Sequence, residues 1–300
     1  AAGDANCNYN ATEFQATLNT YGGSYSTDQL LGFLLDGTTA AVSEAQAYVT
    51  ALDNFQNNGV LVFAGGNSSV ESDVSAIAAL PQWYSQLAEA WLVVNFADFT
   101  GTDMSGITES EFTILGNPCG TAKEYCLTVD GHQVNVNTYY NESNGASNYK
   151  LADSGSSYAA PMVAGGVALI KQAFPNHTPE QITDRILASA DNSWFTPAGN
   201  TTFTTHGASI THGYHATWGH GLPDFMAAMS PITSNSNPAS ITTSGNLNNT
   251  DPLEGTSGSS SSQNPGRYSI ASSSISLPGL LGDAISEGLS SETGYFYDGL

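Results

Sequence analysis

Gly155-Ser156-Ser157-Tyr158-Ala159-Ala160-Pro161 opens a run of small and apolar residues that reaches Phe174. A serine hydroxyl is a weak nucleophile at neutral pH and needs activation. The mouth of a helix supplies some of it. Backbone N–H groups there are unpaired, and the helix dipole favours negative charge. Gly155 lets the chain bend sharply and lets a substrate approach. Pro161 is expected in the first turn, where it loses no helical hydrogen bond. The stretch therefore reads as an exposed serine on a strand-to-helix corner. The same spacing also fits an ordinary serine-capped helix of small residues.

The elements that must hold this corner read as α/β. Residues 40–59 (AAVSEAQAYVTALDNFQNNG) read as a helix with Ser43 as candidate cap and Gln46 completing a capping box. Tyr48, Leu52 and Phe55 follow at helical spacing, and Gly59 closes it. Val60–Asn67 (VLVFAGGN) is a short apolar run of strand formers. Trp91–Phe99 and Glu124–Gly131 are two further buried-strand candidates. A helix followed by a buried strand is the unit of a parallel sheet covered by helices. Ser157–Phe174 reads as a helix apolar on most faces, hence buried. Thr178, Pro179 and Gln181 spell a capped helix start: cap, first-turn proline and capping box.

Charge excludes some partners. Lys and Arg number 5 against 27 Asp and Glu, a net charge of −22. Such a surface repels nucleic acid and anionic lipid. No apolar run approaches the roughly 20 residues of a membrane helix. The first residues, AAGDANCNYN, lack the basic and apolar regions of a signal peptide, so a processed or truncated start is expected. The last, ETGYFYDGL, end in aromatic and apolar residues and read as a cut. Cys119 and Cys126 lie close enough for a local disulfide or a pair of thiols, and Cys7 is left over. No histidine stands near them at zinc spacing. No cofactor is called for. Calcium stays an open alternative, although the acidic and Asn-rich loops show no ligand pattern for it. From Pro231 the chain turns rich in Ser, Thr, Asn and Gly. Residues 1–231 are therefore expected to form one domain and 232–275 a linker, with a new segment at 276–300.

The serine stretch resembles the nucleophile motif of the subtilisin-like serine proteases, Gly-Thr-Ser-x-Ala-x-Pro followed by Val-Ala-Gly. Gly155, Ser157, Ala159, Pro161, Val163, Ala164 and Gly165 match, and Ser156 stands where the family has Thr. The resemblance makes Ser157 the nucleophile. VLVFAGGN resembles the family's strand ending in Ala-Gly-Asn, with Gly65 in place of that Ala. Asn67 would then donate to the oxyanion of the tetrahedral intermediate, and such a donor lowers a barrier by about 3 kcal/mol. Leu18–Gly23 (LNTYGG) resembles the family's cleft-wall strand, which implies substrate contacts at Tyr21 and Gly22. Ala64 and Gly65 would line the other wall. Residues 218–232 (WGHGLPDFMAAMSPI) resemble the segment that closes the domain. The implied fold is a three-layer α/β domain on a mostly parallel, incomplete sheet. Residues 117–131 and the C-terminal SISLPGLLGDAIS and YFYDGL resemble autotransporter-type members of Gram-negative bacteria. That implies an extracellular or cell-surface endopeptidase acting on polypeptides.

The family order is Asp, His, Asn, Ser, and here the first two have no match. No histidine precedes His132, and the other five are His177, His206, His212, His215 and His220. All six read as surface or loop residues. Asp4 lacks the Asp-Ser/Thr-Gly context. The sequence is therefore expected to begin downstream of the base, and alone to be nearly inactive. A catalytically inactive binding or adhesion protein of the same fold is the competing expectation. The related Ser-Glu-Asp proteases would need an acidic residue where Asn67 stands. Other serine hydrolases would need Gly-x-Ser-x-Gly, and GSSYA lacks the second glycine.

Overall fold

A computed structural model of the chain describes residues 9–101, 107–136, 140–141, 146–147, 151–206, 209–229, 240–242, 267–269, 274–276 and 295–297. Three helices come first: α1 (Ala11–Tyr21), α2 (Thr27–Asp36) and α3 (Val42–Gln56). Asn10 with Glu13, and Ser26 with Gln29, form capping boxes on α1 and α2. Ser43 does not cap α3. It lies inside the helix and donates to Glu44, and Ala41 takes the cap position without a side-chain bond. Gln46 reaches Asp28 on α2 instead of turning back. The buried face is shifted too, to Ala45, Val49 and Gln56, while Phe55 is exposed. Gln56 is tolerated in the interior because both ends of its amide are paired: it donates to Gln86 O and accepts from Ala90 N–H at 2.7 Å.

The Leu18–Tyr21 segment is the last turn of α1 rather than a strand, and Gly22 caps it through N–H to Leu18 O. Its neighbours explain this. The Asn10 box fixes the start, and Ala11 and Phe14 bury one side, so local helical signals set the conformation.

The sheet is built on β2 (Trp91–Phe99). β1 (Leu61–Ala64) and β4 (Cys126–Asp130) pair with it in parallel, and β3 (Phe112–Ile114) pairs antiparallel with its C-terminal end. Every residue from Trp91 to Ala97 is buried, with no alternation. That is the signature of a strand covered on both faces. Phe63 stacks on the Trp91 ring at 4.3 Å, and the Trp91 indole donates to Ala78 O. β5 (Val134–Val136) pairs antiparallel with β8 (Leu151–Asp153), as β6 (Tyr140–Asn141) does with β7 (Ala146–Ser147). β8 leads directly into α4 (Ser156–Ala173), which packs on β1 and β2. α5 (Pro179–Ala188), the hairpin β9 (Gly199–Phe203) and β10 (Ile210–Tyr214), and α6 (Phe225–Met229) follow.

α4 departs from expectation twice. It buries one stripe, Ala159, Val163, Gly166 and Ile170, and leaves Met162 and Leu169 exposed. Spacings of three and four define a single face, and the small residues on the other faces read as apolar in sequence without being covered. Pro161 lies in the second turn, because the helix begins at Ser156. It therefore cannot donate to the Ser157 carbonyl four residues back.

Chain contacts divide the molecule into Ala1–Ala228 and Met229–Leu300. In the second unit β11 (Ser240–Thr242) pairs with β13 (Ser274–Ser276), and β12 (Arg267–Ser269) with β14 (Tyr295–Tyr297), both antiparallel. Of these strands β11 and β12 fall in the stretch read as linker, and β13 crosses its end. Each centres on Ile or Tyr, which favour strands. The rest of residues 230–300 lies outside the described residues, as does Cys7.

Candidate active site

The site forms where β1 ends against the start of α4. Gly65 donates to Val94 O on β2 and is buried there. A Cβ at Gly65 would stand 3.3 Å from that carbonyl, so the closeness of the two strands selects the missing side chain. Gly66 follows with φ 129°, a conformation that favours glycine. Asn67 comes next.

Asn67 Oδ1 accepts two hydrogen bonds from one residue, Ser156: its N–H at 2.8 Å and its hydroxyl at 2.7 Å. The Ser156 hydroxyl in turn accepts from Gly66 N–H at 3.3 Å. A backbone N–H can only donate, so the amide oxygen must face Ser156 and the Nδ2 group must face away. Nδ2 has no hydrogen-bond partner among the described residues. Gly155 permits the approach. A Cβ there would lie 3.3 Å from Asn67 Oδ1 and 3.6 Å from Nδ2.

Ser157 is the second residue of α4, exposed, and its hydroxyl has no partner among the described residues. Gly155 holds the cap position without a side-chain bond. The corner is tied down from behind, where Gly155 N–H donates to Gly131 O. This arrangement leaves a hydroxyl, the first-turn N–H of Ser157 and an aimed amide on one exposed helix mouth. Chemically it suits acyl transfer, with attack by a hydroxyl on a carbonyl and two donors for the oxygen that becomes negative. Tyr158 donates to Asp153, and this bond holds the exposed carboxyl below its usual range.

The structure brings Ser157, Asn67, Ala64 and Gly65 to this place. Tyr21 and Gly22 sit at the end of a helix, not on a strand along the cleft. Cys119 and Cys126 are joined, with Cα atoms 5.9 Å apart, closing the turn that leads into β4. Ser156 and Asn117 were not singled out as functional. Ser156 was visible only as a departure from Thr, and Asn117 only as the first residue of the 117–131 stretch.

No histidine bonds to Ser157. His132 lies on the segment before the corner, and its Nδ1 faces the Ser154 hydroxyl at 2.9 Å. Ser154 Oγ also accepts from Gln133 N–H. Three other histidines are not surface residues. His220 is fully buried and His177 nearly so. His212 Nδ1 faces His220 Nδ1 at 2.8 Å, and their Nε2 atoms face Ala190 O and Glu124 O. Burial, then the neighbouring His212, push the His220 imidazole down to about 3. These rings serve tertiary packing: they tie β10 to the turn before β4 and to the end of α5.

Comparison with known proteins bears on the family of the chain. The Subtilase family matches residues 21–221, more than half the chain. "Serotype-specific antigen 1" of Mannheimia haemolytica is 27% identical over 135 residues, 45% of this chain and 13% of that protein. "Extracellular serine protease" of Serratia marcescens is 26% identical over 159 residues, 48% of this chain and 14% of that protein. The chain thus spans about one seventh of the length of these relatives. Among solved structures, the self-cleaved protease domain of PatA is 21% identical over 63% of this chain and 53% of its own, with a TM-score of 0.38. MycP1 from the ESX-1 type VII secretion system is 20% identical over 65% and 48%, also with a TM-score of 0.38.

Proposed function

The chain belongs to the subtilase family, and on that premise we propose that it is the part of a serine endopeptidase that carries the nucleophile and the oxyanion amide. Ser157 Oγ attacks the scissile carbonyl carbon and loses its proton to a general base. The carbonyl oxygen becomes an oxyanion held by Asn67 Nδ2–H and Ser157 N–H. Collapse expels the amine, which takes the proton from the base, and leaves an ester on Ser157. Water then releases the acid by the same steps. The base and its carboxylate come from polypeptide outside these 300 residues, since none of the six histidines bonds to Ser157. The observation that carries the reading is the double hydrogen bond from Ser156 to Asn67 Oδ1, which turns the amide N–H2 outward beside Ser157.

The relatives' names, an extracellular serine protease and a serotype-specific antigen, support a secreted or surface protein with polypeptide substrates. The autotransporter-like segments seen in the sequence agree with that setting. Among the described residues no helix is long and apolar enough to cross a membrane.

The test is labelling of the intact gene product with a fluorophosphonate. The wild type is expected to label and Ser157→Ala not to. Persistent labelling of Ser157→Ala places the nucleophile elsewhere. A wild type that never labels gives first place to the binding or adhesion reading.

A further inference from the structure

The aim of Asn67 is not set by its own stretch of chain. Two glycines precede it, and glycine leaves the backbone its largest freedom. Something outside β1 must fix the peptide units on either side. Asn117 does both. Its N–H donates to Gly66 O at 3.3 Å, and its side-chain Oδ1 accepts from Ser68 N–H at 2.9 Å. One residue thus grips the chain immediately before and immediately after Asn67. The fit is close, for a Cβ on Gly66 would lie 2.4 Å from Asn117 Oδ1.

Asn117 is itself held. It is buried, and its Nδ2 donates to Asp73 O at 2.7 Å, which fixes which end of the amide faces Ser68. Asp73 is also buried. Its carboxylate accepts from Val74 N–H, from Thr121 N–H at 2.8 Å and from the Thr12 hydroxyl at 2.9 Å. Asn117 and Thr121 flank Cys119, whose bond to Cys126 ties this turn to β4. The chain of support runs from the disulfide turn through Asn117 to the backbone around Asn67.

We propose that Asn117 is a positioning residue that sets the aim of the Asn67 amide from both sides. The proposal rests on the reading of Asn67 as oxyanion donor. A misplacement of about 1 Å in such a group costs on the order of 100-fold in rate. Asn117→Ala is therefore expected to lower kcat by about 10- to 100-fold, with KM changed less than about threefold. Asn117→Asp keeps the acceptor for Ser68 N–H but not the donor to Asp73 O, and is expected to fall between.

A double-mutant cycle in the intact gene product separates positioning from general stability. If Asn117 acts through Asn67, then Asn67→Ala with Asn117→Ala has the kcat of Asn67→Ala alone. Losses that multiply overturn the proposal. If Asn67→Ala by itself leaves kcat unchanged, the oxyanion reading fails first and the proposal falls with it. Amide hydrogen exchange needs no turnover. In Asn117→Ala the segment 66–70 is expected to exchange about tenfold faster or more while α4 is unchanged, and equal exchange overturns the proposal.

Discussion

α4 and α5 both begin with hydroxyl residues and a nearby proline, yet the two helix starts are built for opposite ends. α5 closes its own donors: Thr178 accepts from Gln181 N–H, Gln181 accepts from Thr178 N–H, and Pro179 has no N–H to satisfy. α4 has glycine at the cap and no side-chain bond there. One first-turn N–H, that of Ser156, is satisfied by Asn67 from another element, and Ser157 is left open to solvent. A helix start that serves stability satisfies its donors locally. On the proposed reading, the start of α4 keeps the Ser157 N–H for a substrate and takes its support from Asn67.

The substitution with the largest expected effect is at the open start. Ser157→Ala should abolish labelling and lower turnover by about 10⁴-fold or more. Its thermal midpoint should hold, since an exposed hydroxyl without partners contributes within about 0.5 kcal/mol. A large loss of stability would mean that Ser157 is a structural cap after all, and the contrast with α5 would vanish.

Asn67→Ala comes next. It should lower kcat by about 100- to 1,000-fold, with KM nearly constant, as expected for a donor used mainly in the transition state. Steady-state kinetics on the intact gene product decide it. Unchanged turnover removes Asn67 from the oxyanion site and leaves α4 with an open start but no partner amide.

Acid should strike the other helix start. His177 stands immediately before Thr178 and is buried. Burial first, then the positive Arg185 and Lys171, push its imidazole from 6.5 down to about 4. The unfolded chain therefore binds a proton that the folded chain refuses. Stability falls as pH drops from about 6.5 towards 4, on the order of 1 kcal/mol per pH unit for this group, and is flat above. His220 contributes with the same sign. The thermal midpoint across that range is the measurement, and His177→Gln should flatten it. A slope unchanged by His177→Gln would assign the acid sensitivity to another group.

These helix starts also show what was legible in the sequence. The α5 box is local, and Thr178, Pro179 and Gln181 announce it without help. β2 was legible as well, since Trp91–Ala97 is apolar apart from Asn95 and has no other comfortable place. Ser157 and Asn67 stood out because their neighbours match a motif. Ser43 failed because its capping partner, Gln46, found Asp28 on another helix. Leu18–Tyr21 failed because a strand needs a neighbour to pair with. Among the described residues β1 pairs only with β2, and α1 keeps its helical conformation to Tyr21. Asn117 and the His212–His220 pair were invisible because their roles are contacts across 49 residues in one case and between a strand and a turn in the other.

The smallest expected effect completes the contrast at α5. Thr178→Ala removes one arm of the box and leaves Gln181 N–H without its acceptor, which costs about 1 kcal/mol. Gln181 also donates to Thr205 O near the end of β9, so the loss should loosen that contact as well. Thr178→Ser keeps the oxygen and should restore most of the stability. Neither change should move kcat, because α5 keeps its donors for itself and offers none to a substrate. Denaturant unfolding beside steady-state kinetics tests this. A drop in kcat with Thr178→Ala would show that the two helix starts are coupled, and their division of labour would have to be given up.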